Sequence, residues 1–166
     1  MEAASAIPGW SDFFVAVAGV AGALMGLVFV GLSINLDKII HVPTSVGRAA
    51  ETLMLLAGVV SIALITLVPV HGAGDLGVLL LLVAVPVWLV PMLGQIRAIR
   101  RHLFARRRFV VSRVVLHQIG ALPLVIGAVG VAGLVPAGIG LVAAGCILSM
   151  LVAMLGAWVL LVEILR

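Results

Sequence analysis

A row of small residues bounded by two carboxylates follows one face of the first apolar stretch of the chain. At about 100° per residue, the row falls within an arc of about 100° on a helix that is predicted over 13–36. Carboxylates at both mouths of a path lined by small residues would concentrate cations, whereas a face of small residues would equally let another backbone approach closely. The pattern is therefore compatible with a pore lining, or with a packing seam against a helix of the same protomer or of a neighbour. The candidate residues are Asp12, Gly19, Gly22, Gly26, Ser33 and Asp37.

A second group of chemically active residues is an arginine cluster that follows the third apolar stretch. A voltage sensor would need its arginines within a span and on one face, but these arginines lie beyond the apolar run and on several faces. We expect them to bind anionic lipid headgroups on the inner face, where each basic residue contributes about 1 kcal/mol. The cluster comprises Arg97, Arg100, Arg101, Arg106, Arg107 and Arg108.

Catalytic, redox and metal chemistry have few candidate residues. The sequence contains no Ser-His-Asp set, no HExxH motif and no GxxxxGK[ST] motif. The single cysteine, Cys146, lies within an apolar run and excludes a disulfide framework. A membrane haem would need paired histidines facing each other within the spans, whereas His41, His71, His102 and His117 are all expected at the interfaces. We therefore expect no enzymatic activity, no cofactor and no metal.

Five long apolar stretches must position these groups. The chain has 166 residues, of which 64% are hydrophobic and 10% charged, and its mean hydropathy is +1.41. Soluble domains carry about 25% charge, and about 20 apolar residues cross a bilayer core. We predict an all-α bundle in a single transmembrane domain over 1–166, with a kinked third helix because Pro86 and Pro91 fall inside it. The predicted spans are about 13–36, 52–70, 76–93, 114–135 and 139–161.

The distribution of positive charge predicts the orientation of these spans. All ten Lys and Arg residues fall between the first and second spans, between the third and fourth, or at the C-terminus. Because translocated loops exclude Lys and Arg, we predict that the N-terminus is outside and the C-terminus inside a bacterial inner membrane. The net charge of +4 is explained by these inner loops, so we expect the bilayer and not nucleic acid as the partner.

The first span also carries a resemblance. The stretches WSDFF at 10–14 and GLVFVGLSINL at 26–36, together with 48–55, resemble a group of small bacterial inner-membrane proteins of unassigned activity. Some members of that group carry the label membrane-protease modulator by automatic transfer. The resemblance implies a multi-span inner-membrane protein, and it supplies no catalytic residues.

Three function classes are compatible with these features. We hypothesise a homo-oligomeric passive channel for small ions or solutes, because the sequence places no ionisable side chain near mid-membrane, where a proton-coupled pump would need one. An accessory or regulatory subunit of a larger membrane complex is the first alternative. A small transporter is the second alternative, for which only Pro86 and Pro91 hint at the broken helix that such a site uses.

Overall fold

The computed structural model describes residues 9–41, 43–69, 72–100, 107–135 and 138–164. Within these ranges, five of the helices are long and apolar enough to cross a membrane, which confirms the prediction of five apolar helices. A short sixth helix, α2, follows the first span. The helices are α1 (Ser11–Ile34), α2 (Leu36–Ile40), α3 (Pro43–Leu67), α4 (Ala73–Arg100), α5 (Arg107–Val131) and α6 (Ile139–Ile164).

Two helices begin well before the predicted spans. Helix α3 begins at Pro43 rather than near residue 52, and helix α5 begins at Arg107 rather than near residue 114. Proline suits the first turn of a helix because the missing N–H would have no partner there. The earlier starts place polar and charged residues, which the hydropathy pattern had assigned to loops, on packed helices.

Two helix ends differ from the sequence expectation for local reasons. Helix α1 begins at Ser11, two residues before the predicted span, and its N-cap Trp10 makes no side-chain cap hydrogen bond. Helix α5 ends at Val131 because Gly133 adopts a positive φ of 83° and the chain turns back. The N–H of Leu134 then donates to the carbonyl of Val129 at 3.2 Å, as in a Schellman ending.

Close packing of α5 against α6 is achieved through small residues. A Cβ at Gly127 would lie 2.6 Å from the backbone nitrogen of Val142, and a Cβ at Gly145 would lie 2.9 Å from that of Leu124. The hydroxyl of Ser149 also donates to the carbonyl of Gly120 across this interface at 2.8 Å. These contacts bring together the start of α6 and the end of α5, so the two helices run antiparallel.

Helix α4 remains a single helix through Pro86 and Pro91, with no re-entrant loop. Its end packs against the start of α3, since Gln95 contacts Glu51, and the end of α6 also approaches α3 through Gly156 and Thr52. One end of the bundle, which we call the basic end, therefore contains the starts of α3 and α5 and the ends of α4 and α6.

Candidate functional site

A buried carboxylate at the basic end joins three helices. Glu51 on α3 is 9% exposed, and its Oε1 accepts a hydrogen bond from Nε2 of Gln95 on α4 at 2.7 Å. Its Oε2 accepts a hydrogen bond from Nε of Arg113 on α5 at 2.8 Å. Charge-assisted bonds of this length are among the strong ones in proteins. The carboxylate is thus fixed by donors from both neighbouring helices.

His117, one turn beyond Arg113 on α5, completes this cluster. The ring is fully buried, and its Nε2 lies 2.9 Å from the backbone carbonyl of Trp88. A carbonyl only accepts, so Nε2 carries a hydrogen. The other ring nitrogen, Nδ1, lies 3.2 Å from Glu51 Oε1, within ion-pair distance but without hydrogen-bond geometry. A proton on Nδ1 would therefore be placed beside the carboxylate.

His117 contacts α4 in the turn that precedes Pro91. Pro91 has no N–H to donate to the carbonyl of Val87, four residues earlier, and the carbonyl that accepts from His117 is that of the next residue, Trp88. The indole Nε1 of Trp88 also donates to Oε1 of Gln118 at 2.8 Å, so two polar contacts connect this turn to α5.

The cluster lies within two of the candidate spans, whereas hydropathy predicts ionisable groups only near the ends of the spans. The candidate spans run from Ser45 to Leu67 and from Val111 to Val131. At 1.5 Å per residue, Glu51 and His117 each lie about 9 Å inside them. The ring of His117, which the sequence predicts at the membrane interface, is fully buried between helices. Hydropathy alone treated Glu51 and Arg113 as the polar edges of shorter spans.

A cavity of about 230 Å³ lies beside the cluster, between α3, α5 and α6. Its polar lining comes from Arg48, Glu51, Thr52, Ser112, Arg113 and His117. Counting formal charges, two arginines and one carboxylate leave this lining with a net charge of +1 when His117 is neutral. The remaining lining is apolar and comes from Leu55, Leu116, Val152, Leu155, Val159 and the glycine at 156.

The sequence contains a signal for this site that hydropathy does not use. Arg48 and Glu51 are three residues apart on α3, and Arg113 and His117 are four residues apart on α5. Each spacing places both side chains on one helix face. Both helices begin at the basic end, and Glu51 and Arg113 lie at similar distances from the starts of their helices. Their opposite charges at the same level therefore indicate an ion pair between α3 and α5.

The candidate row on α1 lies on the outside of the protomer. Asp12, Gly19, Gly26, Ser33 and Asp37 are all exposed, and Gly22 is half-buried. Among the described residues, a Cβ at any of the three glycines would meet no heavy atom within 4 Å beyond the helix's own backbone. The row is therefore not a packing seam against any described helix of the protomer. Helix α1 instead packs through its opposite face, where Phe14, Val17 and Ala21 are buried.

The predicted lipid-binding arginines are only partly covered by the described residues. Arg97 and Arg100 are exposed in the last turn of α4, away from the cavity. Arg101 and Arg106 lie outside the described residues, and Arg107 and Arg108 begin α5. Among the histidines, His41 is exposed after α2, whereas His71 and His102 fall outside the described residues.

The cluster and cavity together could hold an anion next to a group able to carry a proton. The arginines supply fixed positive charge, His117 Nδ1 and Glu51 supply a proton site, and the leucines and valines exclude water from one side. Comparisons with family models, with curated proteins and with solved structures give no match to this chain. The function is therefore inferred from the chemistry of the site.

Proposed function

We propose that the protein is a small, non-enzymatic transporter, multi-pass in a bacterial inner membrane, whose substrate site is the cavity beside Glu51. The observation that carries the proposal is the hydrogen-bonded Glu51–Arg113 pair within two candidate spans, with a cavity alongside it. Ionisable groups within membrane spans are costly, and they mark substrate and ion pathways in transporters. The hypothesis of a passive channel depends instead on the absence of ionisable side chains near mid-membrane.

The charge of the cavity lining favours an anionic substrate. Arg48 and Arg113 outnumber the single carboxylate of Glu51. The guanidinium of Arg113 uses its Nε–H for Glu51, which is one of the five N–H donors of an arginine. Its terminal N–H groups have the planar arrangement that matches carboxylate and phosphate oxygens.

The packing between the cavity and the opposite end of the bundle favours a carrier over an open pore through the protomer. Fully buried apolar side chains fill this region, including Ile62 on α3, Leu80 on α4 and Leu124 on α5. A one-sided cavity followed by a closed core is compatible with alternating access, in which helices rock around a fixed site. The proline-containing helix α4 supplies a segment where such a movement could be accommodated.

The uncovered face of α1 favours a second candidate, a homo-oligomeric channel. Only 17% of the most apolar part of α1 is buried inside the protomer, which is the lowest share among the five candidate spans. Small residues on a lipid-exposed face let a second helix approach closely. If a second copy of the chain packs on this face, the protein is a homo-oligomeric channel. If a different membrane protein packs there, the chain is an accessory subunit of a larger complex.

A flux measurement tests the proposal against the channel. Purified protein is reconstituted into liposomes, and efflux of chloride, inorganic phosphate and octanesulfonate is followed with the membrane potential clamped. We expect anion flux that saturates with concentration and is lost in Glu51→Gln. Flux that rises linearly with concentration, prefers cations and is insensitive to Glu51→Gln would reject the transporter and favour the channel.

A further inference from the structure

We propose that the cavity binds an anionic amphiphile with a single alkyl chain, its oxyanion headgroup at Arg48 and Arg113 and its chain along α6. The assignment rests on the cavity being the substrate site of the proposed transporter, and it names the substrate class. Free oxyanions and lipid headgroups share the headgroup chemistry, and the alkyl chain is the feature that distinguishes them.

The polar half of the cavity lies at the basic end. Arg48, Ser112 and Arg113 belong to the first turns of α3 and α5, so they sit closest to the membrane interface. Arginine binds phosphate and carboxylate oxygens with paired N–H groups. Glu51 orients Arg113 through its Nε, so that the guanidinium is fixed before a ligand arrives. A preorganised headgroup site loses less entropy on binding.

The apolar half of the cavity consists of its wall on α6 and its deeper end at Leu55 and Val152. Leu55 follows Arg48 by two helical turns on α3, and Val152 precedes Val159 by two turns on α6. At 1.5 Å per residue, either interval spans about 10 Å along the helix axis. Charged groups near the interface and apolar groups towards the membrane centre reproduce the polarity of a membrane amphiphile. A small hydrophilic anion would leave the apolar half without a matching partner.

The size and the opening of the cavity restrict the ligand to one chain. A cavity of about 230 Å³ lies below the roughly 300–1,000 Å³ of sites for drug-sized ligands. Leu116, Leu155 and Val159 line the cavity and are themselves partly exposed on the outer surface of the bundle. A ligand can therefore reach the site sideways, with its alkyl chain passing between α5 and α6.

The chain offers a closely matched pair of positions for testing the alkyl-chain half. Leu155 lines the cavity and is 52% exposed, whereas Leu151 lies one turn away, does not line it and is 53% exposed. Tryptophan at 155 would fill the apolar half, and tryptophan at 151 adds the same bulk outside the cavity. Neither change removes a contact of Glu51, so neither disturbs the ion pair.

The test measures binding in the absence of flux. Purified protein in a maltoside micelle is titrated with octyl phosphate, octylphosphocholine and inorganic phosphate, and the bound molecules are counted by native mass spectrometry. We expect one octyl phosphate per chain, bound at least about tenfold more tightly than either comparison compound, since charge-assisted hydrogen bonds and burial of the chain both contribute. Leu155→Trp should weaken this binding by about tenfold or more, and Leu151→Trp by less than about twofold.

Two charge variants complete the test. Arg113→Gln should weaken octyl phosphate binding by at least about tenfold, whereas Arg97→Gln, which removes an exposed arginine away from the cavity, should leave it within about twofold. Equal binding of octylphosphocholine, inorganic phosphate as tight as octyl phosphate, or equal effects of the two tryptophan variants would overturn the assignment.

A bilayer arm identifies the source of the amphiphile. Wild-type protein extracted from nanodiscs that contain lysophosphatidylglycerol would retain one molecule of this single-chain lipid, which Leu155→Trp loses, if the bilayer supplies the ligand. Retention of octyl phosphate alone would support a soluble single-chain ligand. If octyl phosphate binding depends on Leu155 but the protein shows no anion flux, the binding site is supported and the transporter is rejected. If the protein shows saturable anion flux but no such binding, the transporter is supported and the binding site for an amphiphile is rejected.

Discussion

Arg113 donates its Nε–H to Glu51 Oε2 at 2.8 Å, which joins α5 to α3 inside the candidate spans. The two side chains are only 12% and 10% exposed. Removing one member of a buried pair leaves the other charge uncompensated, although replacing both members with apolar residues can be neutral. Replacing only one of the two residues should therefore lower the free energy of unfolding by a measurable amount.

Replacing Glu51 with alanine should destabilise the protein strongly. Arg113 and Gln95 would both lose their acceptor within the bundle, and the expected loss in the free energy of unfolding is about 3–5 kcal/mol. The measurement is unfolding in mixed detergent and denaturant. Asp37→Ala is the matched control, since Asp37 is exposed and the expected change is within about 0.5 kcal/mol. Equal effects at the two positions would show that Glu51 is not buried among these partners.

Replacing His117 with phenylalanine should destabilise the protein through the backbone of α4. The ring donates to the carbonyl of Trp88, and loss of this hydrogen bond between α5 and α4 should cost about 0.5–1.5 kcal/mol. Val115→Phe is the control because Val115 is 49% exposed on the same helix. Amide hydrogen exchange around Pro91 should accelerate in the His117 variant only. Unchanged exchange there would contradict the contact between His117 and Trp88.

The two faces of α1 should respond in opposite ways to added bulk. Gly26→Leu has open space and should leave the fold of the protomer intact, while weakening any oligomer formed through that face. Ala21→Leu overfills a fully buried position and should cost about 1–3 kcal/mol of stability. Thermal unfolding and the mass of the complex in mild detergent separate the two effects. A Gly26 variant that unfolds as readily as the Ala21 variant would contradict the outward placement of the row.

The charge asymmetry leads to a labelling prediction. In a Cys146→Ala background, a single cysteine at Gly74 should react with an impermeant thiol reagent added outside intact cells, and one at His41 should not, because the Lys and Arg residues mark the inner side. Both positions are exposed in the structure. The reverse pattern of labelling would invert the proposed orientation.

The number and approximate positions of the apolar helices followed from hydropathy, because spans of about 20 apolar residues have few alternatives in lipid. The packing of α5 against α6 was also predictable at Gly127 and Gly145, where small residues recur on facing helices. The helix starts were not predictable in this way. The segment 43–51 is too polar for hydropathy alone to assign it to the second helix, and Glu51 at its end bonds to side chains of α4 and α5.

The polar site was missed for the same reason. Glu51 and Arg113 each look like the edge of a span when a helix is considered alone, and only the packing of α3 against α5 shows that they form a pair. The role of His117 depends on a carbonyl in the proline-containing turn of α4, which no periodicity in α5 records. The small-residue row on α1 is visible in the sequence, but the sequence does not show which side of the helix faces the protomer. The burial of Phe14 and Ala21 shows that the opposite side does.

The most direct test of the account compares anion efflux from liposomes for two pairs of variants. Glu51→Gln and Arg113→Lys alter the buried pair, and Asp12→Asn and Asp37→Asn alter the exposed carboxylates of α1. If the cavity beside Glu51 is the substrate site, the first pair should lose efflux by at least about tenfold, since each variant weakens a charge-assisted contact, and the second pair should retain wild-type efflux. Loss of efflux in the α1 variants with full efflux in the Glu51 and Arg113 variants would contradict the account and assign conduction to α1.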